Sequence, residues 1–279
     1  MKLKRSIEKA KQQREQARQK SAGQSALTKK LKGSVSERTT GSEGWRSPIY
    51  CESRPVKLDR DQLALNRCVA LFPDTDQSEY YKVLRTNIMR RTKEKNWNTI
   101  MITSVQPGEG KTLTAINLTA AFAGEFNQTV LLVDCDLRRQ KVHQYLNFSS
   151  EKGVVDYLVN GCELKDLMVW PNIEKMTIIS GGKTISNSAE LLGSPKMKTL
   201  VNEIKQRYDD RYVIFDLPPI FVGADTIAFA PLVDCILMVV EEGRTSVKDV
   251  KKALEMIPAE KFIGFVLNRR KVPIRGYYY

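Results

Sequence analysis

The chain has 279 residues, 42% of them apolar, and a formal net charge of +13; that length supports one full-sized α/β domain with appendages. A single histidine, His143, nearly excludes His-based triads and His-rich metal sites. Five cysteines (Cys51, Cys68, Cys135, Cys162 and Cys235) form no CxxC pair, which argues against a disulfide framework or zinc site and fits a reducing cytoplasm.

The charge is concentrated at the start of the chain. Residues 1–32 hold eleven Lys or Arg against two Glu, a net +9, while residues 33–60 add +1 and the rest +3. This points to an anionic partner or surface near that segment. The first residues, MKLKRSIEKAKQQ, lack the apolar core of a signal peptide. No apolar run reaches the length of a membrane span; the longest, near 227–240, is interrupted by Pro231 and Asp234.

Residues 2–20 are expected to form a Lys-, Arg- and Gln-rich helix whose apolar stripe (Leu3, Ile7, Ala10, Ala17) is too thin to stand without a partner. Residues 21–57, rich in Ser, Gly, Thr and charge, read as a flexible linker. The expected division is a basic arm and linker over 1–57 and a folded domain over 58–279. From about residue 77 the pattern changes: QSEYYKVLRTNIMRR has a helical period, and NTIMITS is a short apolar strand followed by a glycine-rich loop and a helix to about Gly124. TVLLVDCD, MTIIS, RYVIFDLPP, DCILMVV and FIGFVLN read as five more strands, with helices over 194–208 and 246–257 between them. Strands alternating with helices predict an α/β fold, a mainly parallel sheet covered on both faces.

Ligands of such sheets bind at the carboxyl ends of the strands, and there the sequence is most informative. In TSVQPGEGKT, Gly108 and Gly110 let the backbone wrap a ligand with its N–H groups inward. A helix starting near Lys111 adds the positive end of its dipole. Lys111 is placed to reach β- and γ-phosphates and the Thr112 hydroxyl to bind Mg²⁺, although Val105 stands at the first glycine position of the GxxxxGK[ST] pattern. LLVDCDLRR puts Asp134 and Asp136 just past one strand, two apart and projecting alike from extended backbone. YVIFDLPP puts Asp216 at the end of another, stiffened by Pro218 and Pro219. Each aspartate alone could cap a helix; three at strand ends point to a cation, because buried charge requires a partner.

The trio PGEGKT, LLVDCDLRR and VIFDLPP resembles the three Walker motifs of the bacterial tyrosine kinases, P-loop autokinases grouped with the MinD- and ParA-like proteins. The resemblance runs over roughly residues 77–279, and Gln106 in place of the signature lysine of the MinD group favours the kinase branch. It implies transfer of the γ-phosphate of MgATP to tyrosine. ATP would be held by Pro107, Gly108, Glu109, Gly110, Lys111, Thr112 and Leu113, with Arg138 as a charge partner near the phosphates. Thr112, Asp136 and Asp216 would organise Mg²⁺, and Asp134 would orient or deprotonate the incoming phenol. Asn268, ending the last strand, is either a contact to the adenine edge or a strand-end turn.

SEYYKVLRTNI resembles the family's ExxRxxR oligomerisation motif, with Glu79, Lys82 and Arg85 at its positions, and implies a homo-oligomeric ring. Lys82 replaces an arginine and loses the planar fork that grips a carboxylate bidentately; the same residues could also be a solvated helix face. The terminal Tyr277, Tyr278 and Tyr279 resemble the family's phosphoacceptor cluster, or could pack onto the domain. About eleven extended residues at roughly 3.3 Å each would reach a neighbouring subunit. The family further implies a role in capsule or exopolysaccharide synthesis and export, and a separate membrane adaptor of the chain-length-determinant kind. The expected location is the cytoplasm at the inner face of the plasma membrane, with the basic arm meeting an acidic partner helix or the membrane surface. No base-reading module accompanies the basic arm, so nucleic acid is not expected. The alternatives are a MinD/ParA-like ATPase switch and a nucleotide-binding regulatory scaffold without kinase activity.

Overall fold

The apolar runs become strands of one eight-stranded sheet: β1 (Arg54–Pro55), β2 (Thr99–Ser104), β3 (Thr129–Asp134), β4 (Met168–Trp170), β5 (Met176–Ile179), β6 (Arg211–Asp216), β7 (Cys235–Glu241) and β8 (Phe262–Asn268). The computed structural model describes residues 53–72, 75–208 and 210–270. The arm over 1–32 and the three terminal tyrosines lie outside the described residues.

The strand order is β1-β4-β5-β3-β6-β2-β7-β8. Every neighbouring pair is parallel except β4 with β5. The inner strands β2, β3 and β6 are buried along their whole length, as a sheet covered on both faces requires. Alternation along them feeds two cores. Met101, Leu131, Val133, Val213 and Phe215 join one cluster, and Ile100, Ile102, Val130, Leu132 and Ile214 the other. Each fully buried side chain of this size contributes roughly 1.5–3 kcal/mol.

Four longer helices cover the sheet: α1 (Asp76–Thr92), α2 (Lys111–Ala123), α3 (Pro195–Gln206) and α4 (Val247–Glu255). Ile88 and Met89 of α1 and Ile116, Leu118 and Phe122 of α2 belong to one cluster. Met197, Leu200, Val201 and Ile204 of α3 and Ala253 of α4 belong to the other. Thr75, Ser194 and Ser246 cap α1, α3 and α4 with a side-chain oxygen. Helix α2 has Gly110 at that position and no side-chain cap, so its first N–H groups remain available to a ligand.

Two expectations are corrected. The linker expected over 21–57 extends too far, because β1 pairs with β4 and the Val56 N–H donates to the Trp170 carbonyl at 2.9 Å. Arg54 also pairs with Glu151 at 2.7 Å, so its charge sits on the sheet's edge strand. The sheet also has two strands beyond the six expected, β1 and the antiparallel β4.

Candidate active site

The carboxyl ends of β3, β6 and β2 lie side by side, and the expected site residues meet there. Asp134 of β3 is the register partner of Asp216 of β6, and Ile102 of β2 is the other neighbour of Asp216. The loop between β2 and α2 closes over this edge. Gly108 and Gly110 take φ of 86° and 94°, a region that favours glycine. A β-carbon at Gly110 would also fall 2.2 Å from Asn268 Nδ2.

Lys111 points into the carboxylates. Its Nζ lies 2.9 Å from Asp136 Oδ2 and 3.3 Å from Asp216 Oδ1, with only 10% of the side chain exposed. The Thr112 hydroxyl donates to Asp216 Oδ2 at 2.7 Å. Burial by itself would lower the Lys111 ammonium, but Asp216 and Asp136 more than offset it and hold it above its ordinary value. Burial pushes Asp134 up to about 8, reinforced by the charge of Asp216, and burial likewise raises Asp216 against the pull of Lys111. Three buried carboxylates thus share one lysine, an arrangement short of positive charge.

Asp134 is fully enclosed. Its oxygens accept from the N–H groups of Asp136, Lys141 and Val142, each at 3.1 Å, which folds the turn after β3 around it. Arg138 in that turn pairs with Asp225 at 3.4 Å and donates to the Ser188 hydroxyl at 2.7 Å, so its described partners are not the other site residues. Asn268 donates from Nδ2 to the Glu109 carbonyl at 2.8 Å and so holds the loop itself. A cleft of about 970 Å³ opens beside the loop, between Gly110, Leu113 and Asn268 on one side and Tyr80, Tyr81 and Leu84 of α1 on the other. Its described lining residues include Arg67, Arg269 and Arg270 and no Asp or Glu. It suits the base and sugar of a nucleotide whose phosphates enter the loop.

On α1, Lys82 pairs with Glu79 at 2.5 Å. Arg85 is engaged within the chain, pairing with Glu125 at 3.0 Å and donating to the Ala121 carbonyl at 2.8 Å. Sequence reasoning missed a group that grips the loop from behind. The Arg244 guanidinium donates to the Pro107 carbonyl at 3.0 Å and pairs with Glu241 at 3.1 Å. The Thr245 hydroxyl donates to the Glu109 carboxylate, and Gln106 Nε2 donates to Asp249 at 3.3 Å. Arg244, Thr245 and Asp249 follow β7 and carry no local motif, so only the tertiary structure reveals them.

Among the described residues no group of three or more His, Cys, Asp or Glu could cage a metal ion. Mg²⁺ held jointly with nucleotide phosphates needs only one or two side-chain oxygens. Thr112, Asp136 and Asp216 offer such hard oxygen donors in a pocket with excess negative charge, so the residues fit that ion. Among the described residues no helix is long and apolar enough to cross a membrane.

Residues 97–261 match the family model of an AAA domain. The chain is 32% identical over 232 residues to the tyrosine-protein kinase YwqD of Bacillus subtilis, covering 81% of this chain and 94% of that one. Among solved structures, the chimerical protein CapA2B2 superposes with a TM-score of 0.67 at 29% identity, covering 80% of this chain and 95% of its own. The kinase domain of the Escherichia coli tyrosine kinase ETK gives a TM-score of 0.67 at 25% identity, covering 84% and 95%. A glycine loop backed by three aspartates at or just past strand ends, in a chain 32% identical to such a relative over 94% of that relative's length, places this protein in the bacterial tyrosine kinase family.

Proposed function

We propose that this tyrosine kinase transfers the γ-phosphoryl group of MgATP to tyrosines of its own C-terminal tail, Tyr277, Tyr278 and Tyr279, and thereby regulates capsule or exopolysaccharide synthesis and export. The observation that carries the reading is the convergence of Lys111, Thr112, Asp136 and Asp216 behind an uncapped helix start. The loop N–H groups and Lys111 stabilise charge on the phosphoryl group in flight. Thr112, Asp136 and Asp216 would hold Mg²⁺, which supplies charge neutralisation at the phosphates.

Asp134 is the proposed base for the phenol proton, and its raised proton affinity suits that task. Its three N–H contacts mean that the turn over 135–142 must open for the phenol to reach it. Asn268 and Leu113 line the cleft and are the proposed nucleoside contacts, with Pro107, Gly108, Glu109 and Gly110 forming the proposed phosphate loop. Arg138, parked on Asp225, is the nearby cation that a phosphate could draw away.

We further propose a homo-oligomer joined through the helix of Glu79, Lys82 and Arg85. A separate membrane adaptor would recruit it to the inner face of the plasma membrane, aided by the basic arm. Gln106 is tied to Asp249 within its own chain, which supports a kinase over a MinD-like switch whose signature side chain is a lysine. Incubation with labelled ATP and mapping of phosphotyrosine tests the reading. The label should concentrate on Tyr277–Tyr279 and vanish in Lys111→Met. Label retained in a folded Lys111→Met protein overturns the site, and label chiefly at Tyr50, Tyr80 or Tyr81 overturns the choice of acceptor.

A further inference from the structure

The phosphate loop contains a carboxylate. Glu109 lies between Gly108 and Gly110, in the segment built to receive a polyanion, and it is fully buried. A negative charge there opposes phosphate binding unless it is turned away and fixed. The structure shows how it is turned away. One carboxylate oxygen accepts the Gln106 N–H at 2.8 Å, closing the loop on itself, and the other accepts the Thr245 hydroxyl from the turn after β7. That hydroxyl in turn accepts the Glu241 N–H at 2.9 Å, so the rotor is set by its own turn. Two further groups hold the neighbouring loop carbonyls: Arg244 at Pro107 and Asn268 at Glu109.

We propose that Thr245 is a positioning residue of the ATP site: it holds the Glu109 carboxylate away from the phosphates, with Arg244 fixing the adjoining backbone. The inference rests on the loop being the ATP phosphate site. Without the Thr245 hydroxyl, one oxygen of a buried carboxylate loses its donor. Such a group is costly to leave unpaired, and Glu109 relieves that cost by rotating toward the loop mouth, where its charge repels ATP. The effect falls on binding, because Lys111, Thr112, Asp136 and Asp216 keep the contacts they make with one another.

Calorimetric titration of the full chain with ATP in Mg²⁺ buffer tests this, beside steady-state autophosphorylation. Thr245→Val should weaken ATP binding roughly tenfold, the worth of one hydrogen bond to a charged group, and raise KM with little change in kcat. Thr245→Ser should bind as the wild type does. Adding Glu109→Gln to Thr245→Val should recover most of the loss, because the repelling charge is gone; a purely structural role predicts no recovery. Wild-type affinity in Thr245→Val, or no recovery in the double variant, overturns the proposal. Should Thr245→Val fail to fold, Arg244→Ala, at a half-exposed side chain, carries the test: roughly threefold weaker binding supports the proposal, and unchanged binding overturns it. Absence of ATP binding by the wild type overturns the phosphate-site reading, and the proposal with it.

Discussion

The two ends of the central sheet bury their aspartates in opposite states. At the amino end, Asp234 accepts the N–H groups of Asn98 and Thr99, the Thr99 hydroxyl and the Lys205 ammonium. Burial alone would raise its carboxyl, but Lys205 and these donors hold it below the ordinary carboxylate range. At the carboxyl end, Asp134 and Asp216 are buried more deeply, share Lys111 with Asp136, and are raised. The first end is a finished electrostatic structure; the second is balanced only when further positive charge arrives. A fold stabilises a carboxylate fully where it needs only to stand, and incompletely where a ligand completes the set.

The sharpest way to break this contrast is at Lys111. Lys111→Met should cut transfer roughly a thousandfold, and by leaving Asp136 and Asp216 without their cation it should cost about 3 kcal/mol in denaturant unfolding at neutral pH. A variant as stable as the wild type would mean that the carboxyl end is no more demanding than the amino end. Next comes Asp234→Ala, which strips four donors of their acceptor. It should cost about 2 kcal/mol while leaving ATP affinity unchanged, and a loss of affinity would show that the two ends are not separable.

Acidity sharpens the contrast further. A raised carboxyl stabilises the fold only while protonated, so the contribution of Asp134 is complete below its ordinary 3.8 and is lost as pH rises toward about 8. A lowered carboxyl does the reverse: that of Asp234 is complete above 3.8 and is lost as pH falls through its lowered value. Melting of nucleotide-free protein should therefore decline at both extremes, with Asp134→Asn flattening the upper limb and Asp234→Asn the lower. A single limb, or limbs exchanged between the two variants, would contradict the assignment. The smallest effect belongs to a pair at neither end. Glu79→Ala removes an exposed partner of Lys82 and should cost no more than about 0.5 kcal/mol. A larger loss in a monomeric sample would show that α1 depends on that pair.

The parts legible in sequence were those with local signatures. Inner strands such as 130–133 are continuous apolar runs; Lys111, Asp134 and Asp216 each stand at a helix or strand terminus, and Asp136 two residues past one, in patterns that announce the site. What escaped was either too short or too distant. Arg54–Pro55 is a two-residue strand with a charge and a proline, and nothing in its composition separates it from the linker before it. Met168–Trp170 owes its direction to pairing with β5. Arg85 stands in a segment that resembles a motif for contact between copies, and its pairing with Glu125, forty residues further on, is not legible there. Glu109 is held by Thr245, a contact between residues 136 positions apart that no periodicity encodes.

That last distance also bears on how the protein is made. The glycines, lysine and aspartates of the site are all in the chain once β6 has been synthesised, and the strands that carry them are adjacent in the sheet. The groups that hold the loop, Arg244, Thr245 and Asn268, follow later, and Asn268 ends the last strand among the described residues. A nascent chain on the ribosome therefore carries the glycines, lysine and aspartates before the residues that hold the loop. A chain that ends after β6 lacks every contact that Arg244, Thr245 and Asn268 make to the loop.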